Sequence, residues 1–307
     1  MKGKLKKGFP FFCICAMIKN NLLEQQEERK LKFTKMQGCG NDYVYINCFK
    51  ETVENGPELA IKVSNRNFGI GSDGLILICP SEVADVKMVM YNADGSQSQM
   101  CGNGVRCVGK YSYDYGIVDK EVITVETLAG IKILQLHVEN GKVASVTVDM
   151  GAPITKPELV PVVAEGECVL AKPVEVCGKE YEITCVSMGN PHAITFVEDT
   201  QAVELETIGP VFEHHPMFPE RTNTEFIQVL SDTEINMRVW ERGSGETLAC
   251  GTGACASVYA CMLNGKTKEE VTVHLLGGDL HIKYDNETGH IFMTGPAVVV
   301  FDGEFAE

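Results

Sequence analysis

The chain has 307 residues, 44% of them hydrophobic, and a formal net charge of −15. That is enough apolar material for two cores of ordinary domain size. The acidic balance excludes nucleic acid and anionic membrane surfaces as partners, because either would repel it. Thirteen cysteines, an odd number, are scattered singly. With no matched Cys-x-x-Cys pairs and no His-Glu-x-x-His, they read as reduced thiols of a cytoplasmic protein, with neither a disulfide framework nor a metal site.

Residues 1–30 open with Lys2, Lys4, Lys6 and Lys7 before a short apolar run, Phe9 to Ile18. This imitates a signal peptide poorly: Pro10 and two cysteines interrupt the run, no small-x-small site follows, and Glu24 to Lys30 is strongly charged. A disordered extension or an upstream start is expected there, too short to span a membrane. From Leu31, alternation predicts strands through Lys35 and over Tyr43–Cys48, joined by the tight turn Gly38-Cys39-Gly40-Asn41-Asp42 with an amide at its tip. Helical spacing covers Glu58 to Arg66. Gly69-Ile70-Gly71-Ser72-Asp73-Gly74 resembles a phosphate loop, but it lacks the Lys-Ser/Thr end and runs into a strand, so nucleotide binding is rejected. Strands follow over Leu75–Cys79 and Val86–Tyr91, and the loop Ala93 to Met100 delivers Cys101-Gly102-Asn103-Gly104.

The same order of events recurs 149 residues later. That offset pairs Gly40 with Gly189, Asn41 with Asn190, Cys101 with Cys250, Gly104 with Gly253, Gly116 with Gly265 and Val122 with Val271, with no gap needed between Gly40 and Val122. The chain is read as two strand-rich units with about two helices each, an α+β architecture divided at 31–150 and 151–307, with the proline-bearing segment 151–179 crossing between them. Strands are expected over Val122–Glu126, Ile131–His137 and Val143–Met150, and again over Val271–Leu275, Leu280–Tyr284 and His290–Val300. The units diverge informatively at one point: Asn92-Ala93 in the first stands against Glu241-Arg242 in the second.

Each cysteine precedes a glycine-rich helix start. Free backbone N–H groups and the positive end of the helix dipole there favour a thiolate and can hold a carboxylate. Two such units facing across a pseudo-dyad place both cysteines at one interface. One thiolate can remove a C–H proton while one thiol delivers a proton to the opposite face, so the arrangement suits inversion at carbon without a cofactor. An acid and a guanidinium at Glu241-Arg242 suit an ammonium and a carboxylate. A thiol redox or binding protein is the competing class.

The motifs Gly40-Asn41-Asp42, Asn92-Ala93-Asp94-Gly95-Ser96, Met100 to Cys107, Gly189-Asn190-Pro191-His192, Glu220-Arg221-Thr222-Asn223 and Glu241 to Gly253 resemble those of diaminopimelate epimerases from about Leu31 to Val300. The resemblance implies two similar domains, each wrapped around a central helix, a homodimer, and interconversion of LL- and meso-2,6-diaminopimelate for lysine and peptidoglycan synthesis. It makes Cys101 and Cys250 the acid/base pair. Gly102, Asn103, Gly251 and Thr252 would hold the reacting carboxylate. Asn41, Asn92, Asn190, Asn223, Glu241 and Arg242 would recognise the rest of the substrate, and His192 and Glu241 would tune the thiols. Gly74 stands where some relatives carry a substrate-contacting glutamine, and Cys39 where an apolar residue is usual. Proline racemases and hydroxyproline epimerases share the two-thiol logic, but their Met-Cys-Gly-His-Gly motif has a histidine where this chain has Asn103.

Overall fold

The computed structural model describes residues 30–306, so the expectation for the N-terminal extension lies outside it apart from Lys30. The first half comprises β1 (Lys30–Gly38), β2 (Asn41–Asn47), α1 (Gly56–Ser64), β3 (Gly74–Cys79), β4 (Val86–Asn92), β5 (Gln97–Ser98), α2 (Gly102–Asp114), β6 (Val122–Thr127), β7 (Gly130–Glu139) and β8 (Lys142–Gly151). The second comprises β9 (Lys172–Val176), β10 (Lys179–Ser187), β11 (Pro191–Phe196), α3 (Leu205–Glu213), β12 (Asn223–Val229), β13 (Glu234–Glu241), β14 (Gly245–Glu246), α4 (Gly251–Leu263), β15 (Glu270–Leu275), β16 (Gly278–Tyr284), β17 (Ile291–Pro296) and β18 (Val298–Ala306).

The two halves pair their strands identically. In the first, β2 lies parallel to β3, β4 parallel to β6, and β6, β7 and β8 form a meander. The second repeats this with β11 and β12, β13 and β15, then β15, β16 and β17. The registers coincide as well: Tyr43 lies opposite Gly74, and His192 opposite Asn223. An antiparallel pairing of β8 with β17 joins the halves. Among the described residues no helix is long and apolar enough to cross a membrane.

Two expectations need correction. The ungapped offset of 149 does not extend to Val122. Buried Ile123 and Val125 of β6 match buried Val271 and Val273 of β15, and Val86 pairs with Val125 where Ile235 pairs with Val273. One residue is therefore lost after the turn glycines Gly116 and Gly265, both at positive φ. Burial fixes strand register, so the surface loop absorbs the deletion. The predicted strand His290–Val300 is also two strands. The chain leaves β8 after Pro296, and β18 returns to β1, where Lys30 faces Ala306 and Phe33 faces Gly303.

Each cysteine helix is the centre of its half. Cys101 and Cys250 have extended backbones, at φ −127° and −117°, and serve as N-caps where the chain turns helical. Small residues let the sheet close over the helices: a Cβ on Gly109 would come within 2.8 Å of Leu134. In α4 the residues Gly251, Ala254, Cys255, Ala256, Ser257, Ala260 and Cys261 are all buried. Arg106, fully buried in α2, ties the halves together by donating from Nε to Pro296 O (3.1 Å), and braces the start of its own helix by donating from Nη1 to Gly102 O (3.3 Å). Its Nη2 reaches the sulfur of Cys39 at 3.7 Å, which gives that unusual residue a polar partner inside the core.

Candidate active site

The N-termini of α2 and α4 meet. Asn103 Nδ2 donates to Ala249 O (3.2 Å) across the two units, and a Cβ on either Gly102 or Gly251 would lie 3.0 Å from the side chain of Met293. Asn103 Oδ1 is buried with no partner. An unpaired buried acceptor beside two helix starts is a position a ligand can complete.

The groups that hydrogen-bond Cys101 are neutral. Its thiol donates to Asn41 Oδ1 at 3.2 Å, and the Gly104 N–H donates to its sulfur at 3.3 Å. Asn41 cannot turn freely, because its Nδ2 donates to Asp73 Oδ2 (2.7 Å) and Asp73 is held in turn by Arg66 (2.9 Å). The amide oxygen is thereby aimed at the thiol. Tyr43 also hydrogen-bonds the sulfur. Burial pushes the Cys101 thiol up, against the pull of the Gly104 N–H and the Tyr43 hydroxyl.

Around Cys250 the groups are charged. His192 and Glu225 are completely buried, with Nδ1 2.6 Å from Glu225 Oε1. His192 Nε2 lies 3.1 Å from Asn190 Oδ1, and the Asn190 Nδ2 is directed to Thr252 Oγ1 at 3.2 Å. Both ring nitrogens are thus engaged, and Asn223 Nδ2 lies a further 3.5 Å from Nδ1. Glu241 is turned toward Thr247, whose hydroxyl donates to Oε1 at 2.5 Å, and toward the Cys250 thiol. Burial raises the Glu241 carboxyl, partly offset by these two donors. Burial pushes the Cys250 thiol well above the usual range, and the carboxylates of Glu241 and Glu225 push it further. The thiolate expected from helix ends alone is therefore not what either environment favours: desolvation outweighs the dipole, most strongly at Cys250.

The remaining candidates are placed as follows. Asn223 accepts from the Arg242 N–H (2.8 Å) and donates to Pro191 O (3.1 Å), while Arg242 Nη1 is steadied by Glu220 O at 2.9 Å. Thr252 Oγ1 lies 3.5 Å from the Cys250 sulfur. Asn92 bonds Ser96 Oγ (3.0 Å) in the turn after β4, one strand away from Asn41. Gly74 has a packing role: a Cβ would come within 2.2 Å of Tyr91 O and 3.0 Å of the Tyr43 ring. His192, Glu225 and Cys250 each offer a metal-ligating atom, all within 4.8 Å of one another. Both ring nitrogens of His192 are already engaged, however, so these groups serve one another.

Sequence reasoning missed Tyr43 and Glu225. The repeat holds the signal for both: an offset of 149 sets Tyr43 against His192 and Ile76 against Glu225. Ile76 packs on Gly104 and Glu225 on Gly253, at 2.7 Å and 2.5 Å from the Cβ each glycine lacks. One acid replacing one aliphatic residue adds to the inequality that Glu241 sets between the two thiol environments.

The diaminopimelate epimerase family profile matches residues 33–156 and 184–300. A diaminopimelate epimerase of Acetivibrio thermocellus is 60% identical over 274 residues, covering 89% of this chain and 98% of its own. One from Methanococcus maripaludis is 55% identical over 274 residues, covering 89% and 99%. Among solved structures, a probable proline racemase of Agrobacterium radiobacter superposes with a TM-score of 0.65 at 14% identity, covering 90% of this chain and 93% of its own. A Bacillus anthracis phenazine biosynthesis protein of the PhzF family superposes with a TM-score of 0.63 at 18% identity, covering 90% and 99%. These last two likenesses speak to the fold alone. With that fold, these paired cysteine helices and a match over both halves, the chain belongs to the diaminopimelate epimerase family.

Proposed function

We propose that this isomerase interconverts LL- and meso-2,6-diaminopimelate by a two-thiol acid–base mechanism without a cofactor, in lysine and peptidoglycan-precursor synthesis. The observation that carries the reading is the meeting of two cysteine-capped helix starts. Glu241 lies within electrostatic reach of both thiols, which supports placing them in one site. The substrate α-carboxylate lies across the N–H groups of Gly102, Asn103, Gly251 and Thr252, where the charge that develops on deprotonation is stabilised. Cys101, whose direct hydrogen-bond partners are neutral and on which Glu241 acts only as a minor influence, is the readier thiolate. Cys250, beside two carboxylates, is the thiol that keeps its proton. In one direction Cys101 removes the α-proton and Cys250 protonates the opposite face; in the other the roles reverse.

Arg242 takes the distal carboxylate, while Asn41, Asn92, Asn190 and Asn223 shape the rest of the pocket. Glu241 acts first on Cys250, the thiol it faces, and His192 balances the negative charge gathered there. The enzyme works in the cytoplasm as a homodimer of two-unit subunits divided near residue 150.

The test is proton exchange. The reduced protein is incubated with LL-diaminopimelate in D2O without added cofactor, and the α-protons are followed by NMR. Deuterium uptake with appearance of the meso isomer is expected, falling by roughly 10³-fold or more in both Cys101→Ala and Cys250→Ala. Exchange into proline instead of diaminopimelate would keep the mechanism and replace the substrate. Exchange into neither would remove the reading.

A further inference from the structure

A second pair of thiols lies away from the active site. Asn41 and Gly74, at the starts of parallel strands β2 and β3, face the catalytic end; Cys48 and Cys79 lie at the opposite end of the same strands. Asn47 pairs with Ile78, and the Cys48 N–H donates to Ile78 O at 2.8 Å, so the ladder continues one step and brings Cys48 beside Cys79. Neighbouring residues in adjacent strands project from the same face, with backbones about 4.8 Å apart. That lies within the Cα separation a disulfide accepts, about 4.4–6.8 Å. Each thiol is the first influence on the other. Both are free and half-buried, at the rim of the small core beneath α1.

Their surroundings are unequal. The Cys79 thiol is drawn down first by Cys48 and then, against burial, by the ammonium of Lys87, which pairs with Cys79 from β4 and is held by Glu126 at 2.8 Å. Cys48 is pushed up, first by Cys79 beside it and by burial, with the Glu51 carboxylate adding to both. The cation opposite Cys79 and the carboxylate near Cys48 mark Cys79 as the thiol set to attack and Cys48 as the one set to resolve. Of the catalytic pair, Cys250 is buried, whereas Cys48 and Cys79 are both partly exposed.

We infer that Cys48 and Cys79 form a reversible redox dithiol that hydrogen peroxide oxidises ahead of the catalytic pair. The Cys79 thiolate attacks the O–O bond; a sulfur–oxygen bond forms, hydroxide departs and takes a proton to become water, and Cys79 becomes a sulfenic acid. Cys48 then attacks the Cys79 sulfur as its own proton leaves. The sulfur–sulfur bond forms, the sulfur–oxygen bond breaks, and the departing hydroxide takes that proton as a second water. Two thiols are oxidised, one peroxide is reduced, and a small thiol such as glutathione can reverse the outcome by exchange. The inference does not depend on the substrate of the enzyme.

The test titrates reduced full-length protein with hydrogen peroxide, followed by alkylation before and after reduction and peptide mass spectrometry. The expected result is a linked Cys48–Cys79 peptide pair, two hydrogens lighter than the free peptides, at doses where Cys101 and Cys250 still alkylate after denaturation. Cys48→Ser should leave a sulfenic acid on Cys79 that dimedone traps, while Cys79→Ser should leave none on Cys48. Lys87→Met should slow the linkage roughly threefold, as expected for loss of a half-exposed charge. Oxidation of Cys101 or Cys250 first, or linkage of Cys79 to any other cysteine, would overturn the proposal in the wild-type protein alone.

Discussion

Ile76 and Glu225 hold the same place in the two copies of one strand, and that difference joins Glu241 against Asn92 in setting the character of the two thiols. Glu225 Oε1 bonds His192, while its Oε2 is buried without a partner, so the carboxylate is held for electrostatics more than for hydrogen bonding. Glu225→Gln keeps the shape and removes the charge. Its carboxylate raises the Cys250 thiol, so its loss lowers that thiol, and the alkaline limb of the kcat/KM profile should move to lower pH. A fall in kcat of roughly tenfold to a hundredfold should accompany it. Steady-state rates across pH check both, and an unmoved alkaline limb would make Glu225 merely structural. Residue-level reading of the sequence found Cys101 and Cys250 because a thiol repeated before a glycine-rich helix start is rare. It missed Glu225 because, within Asn223-Thr224-Glu225-Phe226, an acid in an alternating strand reads as outward-facing.

At the scale of elements, the helix starts were legible and the strand ends were not. The Cys-Gly-x-Gly pattern marks the first turns of α2 and α4 to the residue. Gly295-Pro296-Ala297 runs between two apolar stretches, and its switch of partner from β8 to β1 depends on contacts nearly the whole chain apart. Gly74 was legible as a site position by resemblance only; its reason here is the closeness of β4. Gly74→Ala would drive a methyl into Tyr91 O and press on Tyr43, and should destabilise the protein by about 2 kcal/mol. Because Tyr43 bonds Cys101, activity should fall as well. Denaturant melts and the exchange assay read the two effects, and an unchanged midpoint would mean that β4 yields easily.

For the whole molecule, cysteines are core material as well as chemistry. Burial pushes Cys107 up to about 11, and Cys185, Cys255 and Cys261 to about 12, from a reference of 9.0. A folded pKa raised above the unfolded one means that the folded state holds protons which the unfolded chain releases. Stability is therefore complete below pH 9 and is lost as pH rises toward the folded values. Each such thiol should remove about 1.4 kcal/mol per pH unit in that window. Melting in reductant should show a steep alkaline decline, and replacing Cys255 and Cys261 by alanine should flatten it.

The pairing of β18 with β1 has a consequence for biosynthesis. As the chain emerges from the ribosome, β1 is among the first strands delivered and β18 is the last of those described. Until β18 arrives, the edge of the first unit keeps its backbone donors and acceptors unpaired and is open to other strands. The unit made first is therefore sealed last, and a nascent chain stalled before residue 298 presents an adhesive margin that chaperones would have to shield.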